Sequence, residues 1–192
     1  TLIQLIERLD LENITLVCQD WGGLLGLTLP PHFPARFGRL LVMNTGLAVG
    51  TPPSPGFLQW QQYVRENPTF DVGRLMRRSA PGLTDAEVAA YEAPFPNEEY
   101  KAGVRTFPLL VPTAPEQPGA ALSREAAAWW NQSWSGSTFM AVGVHDPILG
   151  PPVMRVLQRI IRGCPAPMRV DAGHFVQEQG EAVARAALEA WA

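Results

Sequence analysis

Asp20, Asp146 and His174 have the side-chain types, and stand in the order, that covalent hydrolytic chemistry requires. Asp20 lies in Cys18-Gln19-Asp20-Trp21-Gly22-Gly23, directly behind the apolar run Ile14 to Val17. This is the layout of a strand that turns sharply into a helix with one reactive side chain at the apex. The glycines are needed because such a turn is strained and the helix packs close to the strand. Most elbows of this kind carry serine. An aspartate is already ionised at neutral pH, its ordinary pKa being about 3.9, and needs no base to become a nucleophile. Its attack on an electrophilic carbon makes an alkyl ester. The indole N–H of Trp21, a donor only, suits a departing halide. The two side chains together point to cleavage of a carbon–halogen bond.

Such an ester must then be hydrolysed. His174, in Asp171-Ala172-Gly173-His174-Phe175, is expected to take a proton from the attacking water. Asp146, in Val144-His145-Asp146-Pro147, is expected to fix the imidazole tautomer and stabilise the imidazolium. The backbone N–H of Trp21 is suited to the oxyanion of that second step. The order nucleophile, acid, histidine is that of the α/β-hydrolase triad. Asn44 ends another apolar run where an acid would also fit, but an amide supplies no negative charge. His32 and His145 read as exposed loop histidines. No cluster has metal-ligand spacing and no glycine-rich phosphate loop follows a strand, so neither a metal nor a cofactor is expected.

Strand ends must position these groups. The runs Ile14–Cys18, Leu40–Asn44, Thr138–Gly143 and Met168–Asp171 alternate with helical patterns, which predicts a parallel sheet flanked by helices. Unbroken apolarity predicts strands covered on both faces. Helices are expected over the opening residues to Asp10, from Gly22 to about Leu29, from Pro151 to a stop at Gly163, and from Val176 to Ala192. The stretch from about Leu47 to Gly136 holds no strand-like run. After the proline-rich Thr51 to Gly56 it signals short helices: a Thr84/Glu87 capping box, Asn97 before Glu98 and Glu99, and Ser123 before Ala126, Trp130 and Trp134. This reads as a helical cap over residues 47–136, inserted between strands of a core made of residues 1–46 and 137–192. Trp129, Trp130 and Trp134 are expected to pack within that lid.

Length and composition narrow the class. The sequence has 192 residues, 46% of them hydrophobic, enough for one domain with a large insertion. A net charge of -3 with scattered basic residues argues against nucleic acid. No run reaches the roughly 18 apolar residues of a membrane span, so a soluble protein with no membrane partner is expected. Cys18 and Cys164 are expected to be free thiols. Thr1 stands inside a helical pattern, so an upstream portion is expected, and a leader would lie within it. The cytoplasm is the expected compartment, with the periplasm left open.

Gln19-Asp20-Trp21-Gly22-Gly23-Leu24-Leu25-Gly26-Leu27, Ala93-Pro94-Phe95-Pro96, Tyr100-Lys101-Ala102-Gly103 and Ala172-Gly173-His174-Phe175-Val176-Gln177-Glu178 resemble the haloalkane dehalogenases over nearly the whole chain. The resemblance implies the α/β-hydrolase fold, represented by the carboxy-terminal part of its parallel sheet. It implies that a haloalkane and water give alcohol, halide and a proton, without a cofactor; a monomer is expected. Asp20 would be the nucleophile, His174 the base and Asp146 the acid. Trp21 and Trp60 would hold the halide, although Trp60 by itself reads as a packing residue. Leu24, Phe57, Phe107, Pro108, Val111, Ile148 and Leu149 match positions lining the apolar substrate pocket. Members of that family begin with several strands and a His-Gly loop that gives the second oxyanion donor, and no counterpart stands in these residues. Losing one such donor costs about 2.7–4 kcal/mol of transition-state stabilisation. The segment expressed alone is therefore expected to be unstable or inactive. Two rival readings are an epoxide hydrolase using Tyr63, Tyr91 or Tyr100 as acids, and a non-catalytic hydrolase remnant.

Overall fold

α1 (Leu2–Arg8) leads into β1 (Ile14–Gln19), and α2 (Trp21–Gly26) with a 3-10 turn at Pro30–His32 leads into β2 (Phe37–Met43). Four helices follow: α3 (Pro55–Glu66), α4 (Val72–Ser79), α5 (Asp85–Glu92) and α6 (Ala102–Leu110). The chain then returns through α7 (Ala120–Gln132) to β3 (Ser137–Gly143), α8 (Pro151–Ile160), β4 (Met168–Val170) and α9 (Gly180–Ala190). These elements come from a computed structural model describing residues 1–192. The strands form one parallel sheet in the order β1-β2-β3-β4. Parallel neighbours require crossover connections, which the intervening helices supply.

Successive strand residues face opposite ways, and the sheet therefore has two cores. Leu40, Val42, Met140 and Val142 meet Leu27, Trp130, Met154 and Leu157 in the larger one. Leu41, Met43 and Ala141 point into a smaller one, closed by Val176 and by Val183 and Ala187 of α9. The expectation of cover on both faces fails at β1, where Cys18 is buried but Val17 is 58% exposed. A single helix about 10 Å wide covers roughly two strands spaced about 4.8 Å apart, and the cover given by α9 ends before β1. β2 starts three residues before its apolar run because Phe37 and Arg39 already pair with β1.

Two expectations for the middle of the chain are corrected. Trp130 and Trp134 are buried in the larger sheet core, with Trp129 packed against it, and not within the lid. Their indoles donate to Leu27 O and Thr138 Oγ1, each at 2.8 Å. Helical spacing defines an apolar face but not the body it meets. Ser123 caps nothing: α7 begins at Ala120, after Gly119 with φ of 89°, and Ser123 is buried inside it.

Of the expected caps, the Thr84 box forms, while Asn97 Oδ1 accepts the Glu99 N–H at 3.0 Å from one residue before the N-cap of a short 3-10 turn. Ser54 caps α3, Asp71 caps α4, and Thr84 with Glu87 makes both bonds of the capping box on α5. α4 and α5 form a hairpin around Val72, Met76, Leu83 and Val88. Gln61 on α3 donates to the Pro108 carbonyl of α6 at 2.8 Å. Cys18 and Cys164 are free. No helix is long and apolar enough to cross a membrane.

Candidate active site

β1 carries Asp20 to the carboxyl edge of the sheet, and α2 begins at the next residue. Asp20 has φ 48° and ψ −122°, a conformation that costs a side-chain-bearing residue on the order of 1–3 kcal/mol. Its surroundings over-determine it. The Asp20 N–H donates to Asn44 O at 3.0 Å, while the Asp20 carbonyl accepts from Thr45 Oγ1 at 2.6 Å and from Gly23 N–H at 3.0 Å. Thr45 also explains Gly23, since a Cβ there would lie 2.0 Å from Thr45 Oγ1. As the first residue of α2, Trp21 has a backbone N–H without a partner inside the helix.

Three strand ends bring the reactive side chains together. Asp20 Oδ1 lies 3.4 Å from His174 Nε2, and His174 Nδ1 lies 2.8 Å from Asp146 Oδ2. The Asp146 side chain has no exposed surface, His174 keeps 20% and Asp20 keeps 38%. Asp20 is thus the open end of the three and Asp146 the closed end. The loop bearing His174 docks backbone to backbone on β3, where a Cβ on Gly143 would meet Gly173 O at 2.1 Å.

Asp146 is held by more than the imidazole. Its Oδ1 accepts from the backbone N–H groups of Ile148 and Leu149 at 2.8 and 3.1 Å. Its Oδ2 also accepts from Asn44 Nδ2 at 2.8 Å. Asn44, fully buried, accepts the Gly143 N–H at 2.8 Å and donates to Gly143 O at 3.3 Å. It thereby ties the end of β2 to β3 and the carboxylate together. The sequence singled out Asn44 only as a rival acid; its amide instead anchors the acid.

Burial raises the Asp146 carboxyl, but His174, Asn44 and the Ile148 N–H outweigh it and hold the group below its ordinary 3.8. Burial likewise pushes the His174 imidazole down, and the carboxylates of Asp146 and Asp20 more than reverse this, drawing it up to about 9. His174 is therefore protonated at neutral pH. Gln19, next to the apex, donates its amide to His174 O at 3.1 Å and lies 3.3 Å from His174 Nε2. This contact went unnoticed in the sequence, where nothing marks Gln19 as polar for a purpose.

The helices above the sheet reach this edge. The Phe107 ring of α6 packs edge-on against Trp21, centroids 4.8 Å apart. Trp60 stacks on Tyr63 at 5.7 Å and meets Phe70 edge-on at 6.4 Å, so its ring partners are Tyr63 and Phe70 rather than Trp21. Leu24, Phe57 and Val111 are half-buried, and Pro108 is buried with its carbonyl bonded to Gln61. Ile148 and Leu149 contribute first through the backbone, as the donors to Asp146. A Cβ on Gly56 would meet Pro147 O at 2.7 Å, so α3 starts against the turn that carries Asp146. The three tyrosines differ in setting: Tyr63 stacks on Trp60, Tyr91 bonds Glu178, and Tyr100 is 62% exposed. His32 and His145 are exposed, and His145 Nε2 pairs with Asp171 at 2.7 Å. No three His, Cys, Asp or Glu side chains converge as a metal site would require.

A parallel sheet with an acidic elbow, a buried acid and a histidine loop at its carboxyl edge defines a class, and the chain matches the alpha/beta hydrolase family over residues 1–186. It belongs to that family. Among its relatives are haloalkane dehalogenases. The one from Psychrobacter cryohalolentis is 42% identical over 187 residues, covering 94% of this chain and 61% of the relative. Haloalkane dehalogenase 1 of Mycobacterium tuberculosis is 40% identical over 177 residues, covering 90% of this chain and 58% of the relative. The tetrameric structure of haloalkane dehalogenase DpaA from Paraglaciecola agarilytica superposes with a TM-score of 0.95 at 45% identity, covering 98% of this chain and 64% of that one. This chain spans about three fifths of the length of the curated relatives it matches.

Proposed function

We infer that this chain carries the reacting groups of a haloalkane dehalogenase, with a small haloalkane as substrate and halide as product. The observation that carries the reading is the carboxylate at the elbow, with Asp20 Oδ1 3.4 Å from the imidazole Nε2 of His174. In the first step Asp20 Oδ displaces the halide from carbon: a C–O bond forms, the C–X bond breaks, and X⁻ leaves with the bonding pair. The indole N–H groups of Trp21 and Trp60 receive it. Water then adds to the ester carbonyl as His174 Nε2 takes its proton, and the Trp21 backbone N–H holds the oxyanion. Collapse expels the alcohol, restores the Asp20 carboxylate and leaves a proton on His174 for solvent.

The electrostatics support this order. While Asp20 is ionised it helps keep His174 protonated; the ester is neutral, and His174 then loses one of the two carboxylates that hold its proton. Alkylation of the nucleophile thus frees the base as a base is required. The epoxide-hydrolase reading needs phenols that can protonate an opening ring. Tyr91 is engaged with Glu178 and Tyr63 with Trp60, which weighs against that use.

His174→Phe tests the reading. With a reactive 1-bromoalkane it is expected to release about one equivalent of bromide and retain alkyl ester mass on Asp20, whereas Asp20→Asn releases none. Absence of an adduct in His174→Phe would favour the remnant reading, and diol formation from an epoxide without halide release would favour the other.

A further inference from the structure

The α4–α5 hairpin touches the histidine loop at three places. The Ser79 carbonyl, at the last residue of α4, lies where a Cβ on Gly173 would come within 3.1 Å of it. Phe175 packs into the hairpin's own core of Val72, Met76, Leu83 and Val88, beside Tyr91. The Tyr91 hydroxyl of α5 bonds the Glu178 carboxylate and accepts from the Gln177 amide at 3.3 Å. Phe175 stands between the two bodies: its ring meets Tyr91 at 6.5 Å on one side and the His174 imidazole edge-on at 5.1 Å on the other. The segment Gly173 to Glu178 is thus held from below by β3 and from above by the hairpin.

We propose that the α4–α5 hairpin positions His174, through Phe175 and the Tyr91–Glu178 bond, and so governs ester hydrolysis rather than carbon–halogen cleavage. The first step needs Asp20 and the halide donors, none of which the hairpin touches through these contacts. The second needs the imidazole Nε2 aimed at a water beside the Asp20 carbonyl. A displacement of about 1 Å in such a group lowers a rate by as much as about 100-fold. Tyr91 and Phe175 act through His174 and are positioning residues. The proposal rests on the dehalogenase reading above.

Tyr91→Phe removes one hydroxyl and leaves the ring packing intact, and Glu178→Ala breaks the same bond from the other side. Both are assayed as the full chain with a 1-bromoalkane, by rapid-mix bromide release, steady-state rate and intact mass. The expected result is a first equivalent of bromide at the parent rate. The steady-state rate should fall about 10- to 100-fold at unchanged substrate dependence of that first phase, with alkyl ester mass accumulating. Glu178→Gln, which keeps an acceptor for the tyrosine hydroxyl, should recover most of the loss. Equal slowing of both phases, or parent behaviour in both variants, would overturn the positioning role while leaving the dehalogenase reading standing. Absence of bromide release from the folded, unsubstituted full-length protein would remove both.

Discussion

Asn44 and His174 meet at one oxygen: Asn44 Nδ2 and His174 Nδ1 each lie 2.8 Å from Asp146 Oδ2. A side chain just after β2 and one from the loop after β4 therefore share the acid that follows β3. Asn44 has φ of 21°, an unusual backbone for a residue with a side chain, and asparagine tolerates it better than most. Replacing Asn44 by Ala leaves the Gly143 N–H and the Asp146 carboxylate each short of a partner. The expected outcome is a loss of about 1–3 kcal/mol of stability by urea unfolding. Ester hydrolysis should slow while the first bromide equivalent is still released. Parent stability in this variant would contradict the anchoring role.

Gly23 tests the elbow itself. A methyl group there would sit 2.0 Å from Thr45 Oγ1 and 2.4 Å from its Cγ2. Gly23→Ala must push Thr45 off the Asp20 carbonyl, at a cost of about 1–3 kcal/mol for overpacking. Bromide release in the first phase is expected to fall because the apex moves. Adding Thr45→Ser, which removes the methyl but keeps the hydroxyl, is expected to return part of it. A Gly23→Ala chain that releases bromide at the parent rate would show that the apex tolerates the displacement.

The tryptophans separate by where their N–H groups go. A hydrogen bond to a charged partner is worth about 1.5–3 kcal/mol, which is roughly 10-fold or more in affinity. Trp21→Phe and Trp60→Phe should each weaken bromide binding by that factor, read by calorimetry. Trp130→Phe, which leaves Leu27 O without its donor, should lower stability and leave bromide binding unchanged. Parent affinity in Trp60→Phe would return Trp60 to a packing role beside Tyr63.

The response to pH follows from two groups with opposite signs. His174 is drawn up from 6.5 to about 9, so its attraction to Asp146 and Asp20 stabilises the fold fully below about 6.5 and is lost as pH climbs through about 9. Asp146 is held below 3.8, so its contribution stands above that value and is lost as pH falls through the lowered one. Melting temperature followed from pH 6 to 10 should fall more steeply for the parent chain than for His174→Gln. Parallel curves would show that the imidazole gains no partner on folding.

The convergence of Asp20, Asp146 and His174 was legible because each follows an apolar run, and parallel strands deliver their ends to one edge. The capping box of Thr84 and Glu87 was legible for a similar reason, being a local bond between near neighbours. Asn44 was not, since its partners Gly143 and Asp146 lie about a hundred residues along the chain. Trp130 and Trp134 showed helical spacing but not the sheet beneath them, and Trp134 falls beyond the end of α7. Nor could Val17 be seen as exposed, because its apolar neighbours are those of a buried strand. Local chemistry leaves a trace in the sequence, whereas the choice of packing partner belongs to the assembled fold.

Under the dehalogenase reading, the long excursion between β2 and β3 means that reactivity and fit are written on different parts of one chain. Asp20, Asp146 and His174 follow strand ends whose register is fixed by neighbouring strands. α6, and α3 beyond the Gly56 turn that meets Pro147, can therefore drift in sequence without retuning the acid. The α4–α5 hairpin has no such freedom, because any shift there is felt by the loop after β4. Under the dehalogenase reading, selection for new substrates should leave its marks on α3 and α6 and spare the α4–α5 pair between them.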